Sequence, residues 1–125
     1  MKAISSHTAP RSIGGYAQAL LTTDARQFLF ISGQIPESLD GHVPDDFASQ
    51  CRLVWRNVVA QLEAAQMTVK HLAKVTIFLS SREHAEANSA IRREVLKGHE
   101  PALTVIITGI FDERWLLEIE GIAAA

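Results

Sequence analysis

The residues best suited to chemistry in this chain are two glutamates near its end. In the run Leu116-Leu117-Glu118-Ile119-Glu120-Gly121-Ile122-Ala123, strand side chains alternate between faces. Glu118, Glu120 and Ile122 therefore share one side, and Leu117 and Ile119 the other. At roughly 3.3 Å rise per residue the two carboxylates stand about 7 Å apart on an apolar background. Each raises the other's affinity for a proton, so the less solvated one is expected to keep its proton to higher pH, as a general acid or base must. Two ordinary glutamates on a solvent-facing strand are the plain alternative.

Other chemistries find little support. His7, His42, His71, His84 and His99 are scattered through expected loops and helix ends with no ligand spacing, so no metal site is expected. Cys51 falls on the inward stripe of a helix with no adjacent base, which makes it a core residue. No Ser-His-Asp motif is present, and Gly14-Gly15 lacks the strand and helix context of a phosphate loop.

The glutamates must be positioned by the rest of the chain. Tyr16 to Thr22 and Phe28 to Ser32 read as strands joined across Thr23-Asp24-Ala25-Arg26, a hairpin by pattern, after an irregular N-terminal segment. From about Asp45 to Gln66, Phe47, Cys51, Val54, Trp55, Val58, Leu62 and Ala65 recur at spacings of three and four, which predicts an amphipathic helix capped by Asp45 or Asp46. Val69 to Leu79 reads as a strand with Val75, Ile77 and Leu79 on one face and Lys74, Thr76 and Phe78 on the other. Ser80 with Glu83 has capping-box spacing for a second helix running to Lys97, with Ala87, Ile91 and Val95 inward and Gly98 as terminator. Leu103 to Thr108 gives the strand before the closing one. Both helices need one shared sheet face, which leaves the other face bare. A chain this short has nothing to cover it, so another copy of the same chain is expected there.

Composition bounds the answer. One domain over residues 1–125 is expected, with no run of ~18 apolar residues to span a membrane and no signal-peptide core, which makes a cytoplasmic location the default. Twelve basic against fourteen acidic residues and no basic groove argue against a nucleic-acid partner. A single cysteine fits a reducing compartment.

Several stretches, collinear over almost the whole chain, resemble the reactive-intermediate deaminases, the RidA or YjgF family. They are Ala9-Pro10, Ile13-Gly14, Tyr16-Ala17-Gln18, Ser32-Gly33-Gln34-Ile35-Pro36, Gln50, Asn57, Val75-Thr76-Ile77-Phe78, Asn88, Pro101-Ala102 and Leu117 to Ala123. The resemblance implies an α+β, chorismate-mutase-like subunit with two helices on one face of a mixed sheet. It also implies a homotrimer with small-molecule pockets between subunits. Family enzymes hydrolyse 2-imino or enamino acids to 2-oxo acids and ammonia without metal or organic cofactor. Carried over residue by residue, the resemblance makes Glu120 the group that orients water or relays a proton. Tyr16, Gly33 and Thr104 become ligand contacts.

The sequence departs from the family at Leu103, where an arginine normally follows the Pro-Ala pair and binds the substrate carboxylate. A leucine cannot replace that planar, doubly donating group, so the usual 2-imino acid is not the expected ligand, and Leu103 would shape an apolar wall. Arg11 and Arg114, in flanking loops, are the candidate substitutes. Gly15 stands where the family often has proline. Gln66 stands where it has the helix-ending glycine, and would have to accept a left-handed backbone. A pocket trimer that binds a metabolite without turnover is the rival reading. Ribonuclease-type activity is the weakest, for want of a basic groove.

Overall fold

The computed structural model describes residues 1–125. Its elements are β1 (Lys2–Ile4), β2 (Ala19–Leu21), β3 (Phe28–Gln34), α1 (Phe47–Ala64), β4 (Leu72–Leu79), α2 (Ala85–Leu96), β5 (Ala102–Ile107) and β6 (Leu117–Ala124). The main sheet has the order β3-β6-β4-β5, with β6 antiparallel to both neighbours and β5 parallel to β4. Hence β3, β4 and β5 all run the same way, and α1 and α2 are the crossovers that link them. Two crossovers of the usual right hand, both moving across the sheet in one direction, place both helices on one face.

Periodicity explains why α1 buries the side it does. Phe47, Cys51, Val54, Trp55, Val58 and Leu62 meet Val75, Ile77 and Leu79 of β4 and Leu117, Ile119 and Ala123 of β6 in one core, to which α2 adds Ile91 and Leu96. Asp46 is the N-cap, accepting a 2.9 Å hydrogen bond from the Ser49 amide. At the far end Gln66 takes φ +60, the left-handed backbone that its position demanded. Buried Gln50 ties the approach to α1 to the loop before β6. Its Nε2 donates to the carbonyls of Pro44 (2.8 Å) and Arg114 (2.9 Å), and its Oε1 accepts from the Leu116 amide (2.8 Å).

Four local expectations are corrected. The β2–β3 hairpin does not form: β2 pairs with β1 in a separate two-stranded ribbon, and β3 pairs with β6. Val69–His71 is a 3-10 turn rather than the start of β4. It is capped by Thr68, whose side chain accepts from Lys70 N, while His71 Nδ1 accepts from the Thr68 amide at 2.9 Å. The cap before the second helix is Ser81, not Ser80, and it opens a 3-10 turn at Arg82–His84. Within α2, Ala87 faces solvent and Asn88 and Arg92 take the inward places. Lys97 itself turns left-handed at φ +50 to end α2, and Gly98 follows at φ +88.

Candidate functional site

The face of the sheet opposite the helices carries the candidate site. Phe28 and Phe30 of β3, Ile122 of β6 and Ile106 of β5 form its apolar ground, with Phe30 74% exposed. A polar row crosses that ground. Thr76 of β4 is paired on one side with Glu120 and on the other with Thr104, so the three stand side by side across three strands. Lys74, two residues before Thr76 on the same face, donates from Nζ to Thr104 Oγ1 at 2.7 Å. A carboxylate, two hydroxyls and an ammonium thus share one open surface.

Glu118 and Glu120 divide as their surroundings dictate. Glu120 is exposed, whereas Glu118 is half-buried. Loss of water, and then the negative charge of Glu120, push the Glu118 carboxyl above its ordinary range. The space Glu118 occupies comes from a bulge in β3. Between Ile31, opposite Gly121, and Gln34, opposite Ile119, β3 has one residue more than β6, and Gly33 lies there under the Glu118 side chain. A Cβ at Gly33 would stand 2.7 Å from Glu118 Cδ, so a larger residue there would push the Glu118 carboxyl out of its present place. Phe78, opposite Glu118 on β4, joins it around a hollow of about 280 Å³ that reaches Gly109 and Phe111. A larger hollow, about 580 Å³, lies between β1, β2 and the turn at Gly98 to Glu100, away from the Glu118–Glu120 pair.

Of the residues singled out in the sequence, Gly33, Thr104 and Glu120 lie on this open surface. Leu103 does not: it pairs with Val75 and packs against the core on the helix side. Tyr16 sits at the β5 margin, one residue before Ala17, which bridges to Ala102 and donates to the Pro101 carbonyl at 3.0 Å. Its hydroxyl accepts from the Ile13 amide at 3.5 Å. Arg114 is engaged with Asp112 through contacts of 3.0 and 3.2 Å, and Arg11 is exposed. Lys74 and Arg92 were missed. Strand alternation puts Lys74 on the Glu120 side of the sheet, which is the signal that could have found it; a buried arginine on a helix leaves none.

This architecture has relatives. Residues 6–125 match the family model described as Endoribonuclease L-PSP. The chain belongs to this family, the RidA/YjgF group. A RutC family protein of Pyrococcus horikoshii is 34% identical over 96% of this chain and 94% of its own. The 2-iminobutanoate/2-iminopropanoate deaminase of Escherichia coli K12 is 32% identical over 98% of this chain and 96% of its own. Among solved structures, Escherichia coli TdcF with bound serine superposes with a TM-score of 0.75 at 29% identity, covering 100% of this chain and 99% of that one. The α+β fold expected of the Rid family, two helices on a mixed sheet, is the one observed. No helix is long and apolar enough to cross a membrane.

Proposed function

We propose that this protein, as one domain over residues 1–125, is a Rid-type hydrolase of a small imine or enamine, working without metal or organic cofactor. Its pockets form where the open face of one copy meets another in a homotrimer. The row Glu120–Thr76–Thr104, with Lys74 beside it, set among Phe28, Phe30, Ile106 and Ile122 on an uncovered sheet face, carries this reading. Apolar surface of that kind favours burial against a second copy, and the polar row would then be enclosed with the ligand.

In the reaction, water adds to the imine carbon to give a carbinolamine, both protons of that water pass in turn to nitrogen, and the carbon–nitrogen bond breaks to give a carbonyl and ammonia. Glu120 takes the first proton from the attacking water and delivers it to the imine nitrogen, then relays the carbinolamine hydroxyl proton to the departing nitrogen. Thr104, held by Lys74, orients the water or ligand. Tyr16 and Gly33 contribute contacts from the pocket margin. Leu103, packed on the helix side, brings no charge to the open face, so a ligand carboxylate is bound by other groups than in the usual 2-imino acid enzymes. The deaminase name of the Escherichia coli relative supports the reaction class.

The test is ammonia release from freshly generated 2-iminobutanoate and from an uncharged imine, with mass measured in solution. Turnover lost in Glu120→Ala while the trimer persists is the expected result. Absence of turnover in the unaltered trimer, with metabolite binding retained, would leave a non-catalytic binding protein of the same fold. A stable monomer would remove the intersubunit pocket altogether.

A further inference from the structure

Arg92 stands in a place where a guanidinium is rarely left unpaired. It lies on α2 and is 4% exposed, and its Nε has no hydrogen-bond partner. The ion pairs of the chain join Arg52 to Glu94, Glu83 to His84 and Asp112 to Arg114, and none includes Arg92. Its Nη2 reaches the Gly14-Gly15 turn, 3.1 Å from where a Cβ on Gly15 would stand. Arg93 crowds the same spot, with Nε at 2.8 Å and Nη2 at 3.1 Å. Gly15 has φ +79, a left-handed backbone that favours glycine. Two cations therefore converge on one glycine turn without a carboxylate paired to either.

A local remedy is at hand but unused. Asn88, one helical turn before Arg92, is buried with its Oδ1 also unpartnered. One neutral carbonyl satisfies a donor but leaves the buried charge uncompensated, and only an anion does that. The turn also borders a hollow of about 340 Å³ lined by Gly15, Arg93, Leu96, Gly98, His99 and Glu100, and Glu100 pairs with neither guanidinium.

We propose that Arg92 and Arg93, held over the Gly14-Gly15 turn, form a binding site for a small oxyanion, a carboxylate or a phosphate, that supplies the missing counter-charge. The two planar groups offer several N–H donors beside Gly15, where their own atoms fill the place of a Cβ, and the hollow lined by Gly15 and Arg93 is where an anion would reach them. The site does not depend on Glu120 or on turnover.

The experiment uses the full chain in its native assembly, titrated with sodium phosphate and with sodium 2-oxobutanoate at constant ionic strength, followed by calorimetry and thermal unfolding. At least one anion is expected to bind saturably and raise Tm, and competition between them tells which is preferred. Arg92→Met is expected to raise Tm without anion, because an apolar chain replaces an unpaired buried charge, and to weaken anion binding at least ~10-fold. A merely structural arginine would lower Tm instead. Arg93→Gln is expected to weaken binding by ~3-fold or more, with Arg52→Gln unchanged. Failure of both anions to bind, or undiminished binding in Arg92→Met, overturns the proposal. Should Arg92→Met not fold, undiminished binding in Arg93→Gln overturns it equally. If neither anion binds and Arg92→Met alters the mass in solution, the counter-charge belongs to another copy of the chain and the proposal is wrong.

Discussion

The carboxyl group of Glu118 lies over the backbone of Gly33, its Cδ 2.7 Å from where a Cβ at that glycine would stand. The contact lies in the β3 bulge, and the burial it belongs to, together with Glu120, raises the Glu118 pKa. Gly33→Ala is expected to cost roughly 1–2 kcal/mol and to drive the carboxyl outward into water. Its pKa should then fall toward the ordinary value, as read by carboxyl NMR titration. An unshifted carboxyl in the variant would separate the proton equilibrium from the bulge.

Glu118 also gives a pH dependence with a definite sign. Burial and Glu120 raise its pKa in the folded chain, so between the unfolded and folded values the folded state binds more protons. Stability from this group is full below the unfolded carboxylate pKa and is lost as pH rises through the folded one. Glu118→Gln removes the ionisation. The variant should therefore be more stable than the unaltered protein at neutral pH, and the gap should close on acidification through the ordinary carboxylate range and just above it. Urea unfolding across that range measures the gap, and a gap that widens toward acid contradicts the assignment.

Gln50 makes three hydrogen bonds at 1% exposure, joining Pro44, Arg114 and Leu116. Gln50→Ala strands two carbonyls and an amide, and a loss of about 2–4 kcal/mol is expected in urea unfolding. Because the same contacts fix the loop entering β6, ligand affinity should fall as well.

Cys51 reports on the core. Burial pushes its thiol up to about 12, so a native sample at pH 8 should resist alkylation while an unfolded one reacts at once. Fast labelling under native conditions would show that α1 opens far more readily than its packing allows.

The sequence disclosed those parts of the fold whose partners follow from repetition. The stripe on α1 and the alternation in β4 and β6 each fix a buried face without reference to what covers it. Pairing of strands is another matter. β1 has three residues and no period of its own, so its claim on β2 is invisible locally, and the neighbouring strands β2 and β3 looked like a hairpin for want of that rival. The site was legible to the same degree. Alternation put Glu118 and Glu120 together, but which of them loses water depends on a bulge one strand away. Leu103 was read by its place in a motif, and its side of the sheet follows only from its register with Val75. Arg92 contradicts the rule that charged residues face out, so no periodicity could single it out.

The place of β6 has a consequence for how the chain is made. Because β6 lies between β3 and β4, those two strands have no sheet partner in common until residues 117–124 have left the ribosome. Until then the apolar stripe of α1 lacks the cover that β6 gives it, and β3 and β4 each keep one edge unpaired. The four-stranded sheet cannot be completed before residues 117–124 are made, and chains stopped before Leu117 are expected to be taken up by chaperones or to aggregate rather than to persist as partly folded subunits.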